Sequence, residues 1–149
     1  MIASSVMSSD LITLKADASV KDAIALFQEY ALHDFPVSDL NGKPVGIVTS
    51  RSILHYAVPD YATDDLLAIM RGGPDIESVY VKLAAIADHP IIDVVDRKFP
   101  VVKHTMPTSA VAAMLINIKG DSHNVLVVDD DNKLVGIISA RDIICRLPE

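Results

Sequence analysis

The stretch HDFPVSDLNGKPVGIVTSRSI, residues 33–53, has a degenerate copy ninety positions further on: HNVLVVDDDNKLVGIISARDI, residues 123–143. Extended outward at that offset without gaps, residues 12–55 align with residues 102–145 and share 11 identities in 44 pairs. The identities include His33/His123, Asp39/Asp129, Gly46/Gly136 and Arg51/Arg141, together with Ser19/Ser109 and Ala23/Ala113. An internal repeat constrains architecture more than any single residue does. Two copies also imply two equivalent clefts between them, related by a pseudo-two-fold axis.

Each copy reads in the same order. An extended piece (Leu11–Leu14; Val101–Lys103) precedes a helix expected from an N-cap at Ser19 or Ser109, whose hydroxyls suit the first-turn amides. Val20, Ala23, Ile24 and Phe27 follow helical spacing, as do Ala110, Ala113 and Met114, with Asn117 a lapse. Two strands joined by a turn come next. Phe35–Val37 and Gly46–Val48 flank Asn41-Gly42, and Val125–Val128 and Leu134–Ile138 flank Asp131-Asn132. A second helix begins near Arg51 and Arg141. The plan is strand–helix–strand–strand–helix, twice, an α+β (α/β-type) fold whose two halves pack sheet against sheet, because neither copy buries its strands alone.

The expected boundaries are 1–58 for the first unit, 59–90 for a helical connector and 91–149 for the second. Within the connector, Thr63-Asp64-Asp65 is a helix start and Gly72-Gly73-Pro74 a stop. Ile76, Val79, Tyr80, Leu83 and Ile86 then mark an amphipathic helix ended by Pro90.

A chain of 149 residues, half of them hydrophobic, can bury a substantial core. Its net charge of −7 opposes broad nucleic-acid binding, which requires a basic surface. No apolar run is long enough for a membrane span and the N-terminus lacks the layout of a secretory signal. The single cysteine, Cys145, excludes an internal disulfide, and a cytoplasmic location is expected. Asp129–Asn132 is an acidic turn rather than an EF-hand, since Leu134 and Ala140 stand where glycine and glutamate belong. Scattered histidines without paired cysteines do not form a zinc motif, and there is neither a P-loop nor a GxGxxG. No enzymatic constellation emerges.

Taken together and in order, the segments 33–39, 46–53, 123–129 and 136–143, with the entry Ser5–Leu14, resemble a tandem pair of cystathionine-β-synthase (CBS) domains, a Bateman module. The resemblance spans nearly the whole chain. It implies a regulatory protein rather than an enzyme, with AMP, ADP, ATP or S-adenosylmethionine as ligand in the cleft between repeats. It also implies a homodimer that acts on a separate, unidentified protein target.

By that resemblance, a Ser/Thr and an Asp three positions later hold the ribose. Residues i and i+3 at a helix start share a face, and a carboxylate can accept from both sugar hydroxyls. Ser139 and Asp142 fit the pattern; Thr49 keeps the hydroxyl but Ser52 replaces the acid. The sites are therefore expected to be unequal, by about 1.5–3 kcal/mol for the lost charge-assisted bond. Without the repeat context, Ser139 and Asp142 would read merely as a cap of the last helix; with it, ligand contact is the favoured reading. The resemblance places adenine against Met7 or Ser8, Ile12, Leu32 and His33, and phosphate near His33 and His123, with Arg141 within reach. Asp34 and Asn124 stand where nucleotide-binding members often have Arg. Asp34 would repel a polyphosphate unless Mg²⁺ intervened, which favours AMP, ADP or a cationic adenosyl ligand. The alternative is a constitutive dimerising adaptor with vestigial sites.

Overall fold

The computed structural model describes residues 1–58, 76–120 and 122–147. The expected helix at Thr63–Pro74 lies outside the described residues. The elements run α1 (Ala3–Val6), β1 (Leu14–Lys15), α2 (Val20–Glu29), β2 (Asp34–Ser38), β3 (Pro44–Thr49), α3 (Ser50–Ala57) and α4 (Ile76–Ile86). A short 3-10 turn (Ile91–Asp93) leads to β4 (Val101–Lys103), α5 (Thr108–Ile116), β5 (Asn124–Val128), β6 (Leu134–Ser139) and α6 (Ala140–Ile144). Two three-stranded sheets result, ordered β1-β2-β3 and β4-β5-β6, each with one parallel and one antiparallel pair. Among the described residues no helix is long and apolar enough to cross a membrane.

The hairpins form where the sequence places them. Each tip is tied by an aspartate: the Asp39 carboxylate accepts from the Asn41 and Lys43 amides, and Asp129 from those of Asp131 and Lys133. The left-handed residue is Gly42 in one tip (φ 83°) and Asn132 in the other (φ 62°), the two types that tolerate it best.

Strand alternation separates two roles. Phe35, Val37 and Val48 enter the first core, with Leu14, Val20, Ala23, Ile53 and Ile91. Phe27 packs on Phe35 with ring centroids 4.6 Å apart, a tilted aromatic contact. Val125, Val127 and Ile138 enter the second core with Val102 and Val111. The alternate residues Pro36, Ile47 and Leu126 belong to neither core yet are buried, because the two sheets cover one another. The Leu134 amide also donates to the Gly42 carbonyl at 2.9 Å, tying the hairpins together.

The entry segments are exchanged between the halves. α1 packs in the second core through Ala3 and Val6, whereas Ile91 and Val94 pack in the first. The Ala3 amide donates to the Met106 carbonyl, and Ile91 to Ala18. Ser8 bridges Ile137, and Asp96 bridges Ile47. The glycine before each bridge admits a crossing side chain: Met7 lies over Gly136, and a Cβ at Gly46 would fall 2.7 Å from Val95.

These pairs correct the uniform offset of ninety. The hairpins and the α3/α6 starts keep it, but entry segments, first strands and first helices correspond at 88 positions, as Ser8 does to Asp96 and the helix cap Ser19 to Pro107. The two extra residues lie between α5 and β5. The Ser19/Ser109 and Ala23/Ala113 identities are therefore coincidental. Ser109 is not an N-cap, because α5 starts at Thr108 after Pro107. The inward residue is Val111 rather than Ala110, with Ala113 exposed; Met114, Leu115 and Ile118 follow Val111 at helical spacing. Tyr80 likewise points outward, 65% exposed.

The first strand is shorter than expected and begins at Leu14 rather than Leu11. Its neighbour supplies the reason. Leu126 donates to the Pro100 carbonyl at 3.0 Å, but the matching residue in β2 is Pro36, which has no N–H to offer Ile12.

Thr108 occupies the position of the fully buried Val20, and its Oγ1 is buried without a partner. An unpaired buried hydroxyl costs about 1–3 kcal/mol, so Thr108→Val should raise unfolding stability by about 1 kcal/mol in urea denaturation. An unchanged or lower midpoint would show that the hydroxyl is satisfied. A pH effect follows from Asp22, whose carboxylate accepts from the Ser19 amide and hydroxyl and so titrates below its ordinary range, the backbone bond being the largest cause. A depressed folded-state pKa stabilises above the unfolded value and is lost as pH falls through the folded one. Asp22→Asn should therefore flatten the acid limb of the stability–pH curve; an identical limb would contradict this.

Candidate functional site

A cleft of about 450 Å³ opens where the first half meets the end of β6. Its size is ordinary for a small-molecule site. One wall carries Ser8, Asp10, Leu11 and Ile12, a second Ala31, Leu32, His33 and Asp34, and a third Ile137, Ser139, Arg141 and Asp142, with His123 and Asn124 at the base. The exchange of entry segments creates this meeting, since the Ser8 bridge to Ile137 holds residues 8–12 opposite the start of α6.

Eight of the ten expected site residues therefore converge: Ser8, Ile12, Leu32, His33, His123, Ser139, Arg141 and Asp142. Met7 and Thr49 do not line it. Met7 is turned onto Gly136 by the crossing, and Thr49 caps α3 at the matching corner of the other half.

The corner at Ser139 is a capping box. Asp142 Oδ2 accepts from the Ser139 amide at 2.8 Å and from its hydroxyl at 3.1 Å, and Ser139 Oγ accepts from the Asp142 amide. Capping and cleft lining coexist: among the described residues Oδ1 has no hydrogen-bond partner, so a charged acceptor remains for a ligand hydroxyl. The other corner is differently used. Ser52 Oγ accepts from the Thr49 amide at 3.0 Å and donates to the Thr49 carbonyl at 2.8 Å, which consumes its only proton. It offers one neutral lone pair where Asp142 offers a carboxylate oxygen.

Among the described residues the carbonyl of Ile12, a lining residue, has no backbone donor, since Pro36 has no N–H to supply. Leu11, Ile12 and Leu32 supply apolar side chains to the cleft.

Asp34 and Asn124 are equivalent residues and meet near the pseudo-dyad. Asn124 Nδ2 donates to Asp34 Oδ1 at 2.7 Å, and Ser122 Oγ to Oδ2 at 3.2 Å. Two identical acids there would repel, whereas the Asp–Asn difference turns the contact into a charge-assisted bond. Ser122, one of the inserted loop residues, was not singled out from sequence; its near-complete burial at 3% exposure reveals the role. Among the described residues no group of three or more His, Cys, Asp or Glu is placed to hold a metal ion.

Comparisons with known proteins agree with this architecture. The CBS domain family model matches residues 3–59 and 91–149. An inosine-5'-monophosphate dehydrogenase from Methanocaldococcus jannaschii is 29% identical over 144 residues, which is 97% of this chain but 23% of that enzyme's length. The CBS-pair protein CBSX2 from Arabidopsis thaliana superposes with a TM-score of 0.76 at 21% identity, covering 97% of this chain and 92% of the other. CBSX2 in complex with AMP superposes with a TM-score of 0.69 at 23% identity, covering 97% and 93%.

The dyad contact yields a prediction. Asn124→Asp removes the donor and sets a second carboxylate against a buried one, which should cost about 1–3 kcal/mol at neutral pH. One of the paired acids would then titrate upward, so acidification should recover part of the loss. Unchanged stability at pH 7, or no recovery on acidification, would contradict the contact.

Proposed function

This chain belongs to the CBS-domain family, with two copies in tandem, and from that membership we propose that it is a regulatory adenosyl-ligand sensor rather than a catalyst. The reading rests above all on the open Oδ1 of Asp142 beside Ser139, which is suited to accepting from a ribose diol. Adenine lies on Leu11, Ile12 and Leu32, with the Ile12 carbonyl as acceptor for an exocyclic amine. His33, His123 and Arg141 are placed for a single phosphate.

AMP is the preferred ligand. Asp10, Asp34 and Asp142 put three carboxylates around the cleft, which disfavours a polyphosphate unless Mg²⁺ accompanies it and leaves the sulfonium of S-adenosylmethionine acceptable. That CBSX2 has been seen with AMP supports the same choice. Because both halves contribute walls, a ligand stabilises one relative arrangement of them, and a bound partner protein senses that arrangement. Exposed apolar side chains at Leu54, Ile116 and Ile144 support assembly as a homodimer.

Thermal denaturation with AMP, ADP, ATP and S-adenosylmethionine tests the reading. At about 100 times Kd the preferred ligand should add about 2.7 kcal/mol, a rise of several degrees. Asp142→Ala should remove most of that increment, measured against the variant's own unliganded melt because the helix cap is lost as well. Ser52→Ala should leave it nearly intact. No rise with any of the four ligands, or equal effects of the two substitutions, would overturn the assignment.

A further inference from the structure

The two crossing segments correspond at 88 positions, yet they are seated with different strength. Among the described residues, the first, 1–8, shares five backbone hydrogen bonds with the second half. Ala3 donates to Met106, Ser4 to His104 and Thr108 to Met1, and Ser8 and Ile137 donate to one another. The second, residues 87–96, also shares five with the first half. Ile91 donates to Ala18, Val20 to His89 and Lys21 to Ala87, and Asp96 and Ile47 donate to one another. Hydrogen bonding therefore does not separate the two, and the apolar seats decide.

Ala3 fills in the second core the place that Ile91 fills in the first. Both are fully buried, so the first segment buries a methyl where the second buries a butyl. That difference lowers its docking equilibrium by a factor on the order of fifty. Val6 and Val94 are matched and cancel, and Met7 on Gly136 is answered by Val95 on Gly46. The seat is less apolar as well. The first segment docks over the start of α5, where Ile2 bridges Pro107 and Met1 accepts from the Thr108 amide. There Thr108 stands for the buried Val20, and its hydroxyl is buried without a partner. Lifting the segment opens that corner to water, which supplies the missing partner.

We propose that residues 1–8 form a strap that opens and closes as a unit, and that a ligand in the cleft locks it shut. The strap runs directly into a cleft wall: Ser8, Asp10, Leu11 and Ile12 stand opposite Ile137, Ser139 and Asp142. Among the described residues, 9–13 make no hydrogen bond to either half, since the Leu11 amide donates only to Ser9. The hinge lies there. A ligand touching both walls fits the closed form alone and shifts the strap toward closure. Release uncovers the part of the second core that Ala3 and Val6 complete, which gives a partner protein two different surfaces to distinguish. The lock rests on the reading of the cleft as a ligand site, whereas the unequal seating of the two segments does not.

Native-state amide hydrogen exchange followed by NMR is the test. Without ligand, the amides of Ala3, Ser4, Ser8 and Ile137 should share one opening, with protection about tenfold or more below that of Ile47, Ile91 and Asp96. Thr108→Val removes the buried hydroxyl at nearly constant volume and should raise protection of the strap amides about fivefold. AMP at about 100 times Kd should raise it by up to about a hundredfold. Equal protection at the two crossings would overturn the proposal. So would an unmoved strap in Thr108→Val, or a strap that AMP leaves unchanged while it raises the melting temperature. If AMP moves neither the melt nor the strap, the sensor reading fails and takes the lock with it, and the unliganded rates alone decide the opening.

Discussion

The reciprocal bridges of Ser8 with Ile137 and of Asp96 with Ile47 hold the molecule in its arrangement. In each, both backbone bonds are made, at 2.9–3.0 Å. They carry each entry segment across to the other half, where Ala3 and Val6 complete one core and Ile91 and Val94 the other. A half detached from its partner would lose part of its core along with the covering of its sheet. The same crossing builds the cleft. The bridge to Ile137, together with α1 and Met7, holds Ser8, Asp10 and Ile12 against Ser139 and Asp142.

A symmetric frame with unequal contents is the second theme. Every departure from two-fold symmetry near the clefts has a chemical consequence. Pro36 shortens one edge strand and leaves the Ile12 carbonyl open, while Leu126 closes the matching carbonyl of Pro100. Asp142 retains a free charged oxygen where Ser52 has spent its proton. Were Asn124 an acid like Asp34, two carboxylates would meet near the dyad. Lys98 stands where the first half has Asp10, and Lys119 where it has Ala31.

How much of this the sequence discloses depends on how local the cause is. Hairpins, their Asp-tied tips, the second helices and the Ser139–Asp142 corner follow from short-range patterns, and all were legible. The offset of 88 was hidden by two chance identities, Ser19/Ser109 and Ala23/Ala113, which made a gap seem unnecessary. Pro107 and the helical spacing of Val111, Met114, Leu115 and Ile118 would have revealed it. Pro36 was visible, but its effect falls on a neighbouring strand and requires the pairing to be known. The crossing of the entry segments leaves almost no local mark, and so Met7 was expected in the cleft when it packs on Gly136.

A ligand can bias the arrangement of two halves only from a site with walls in both, and the Asp142 corner faces Ile12 and Leu32 of the other half. The central claim is that its free carboxylate oxygen reads the sugar hydroxyls. Calorimetric titration of AMP against 2'-deoxy-AMP tests this most directly. A charge-assisted bond is worth about 1.5–3 kcal/mol, so loss of one hydroxyl should weaken binding by about tenfold or more. Equal affinity for the two nucleotides would contradict the account.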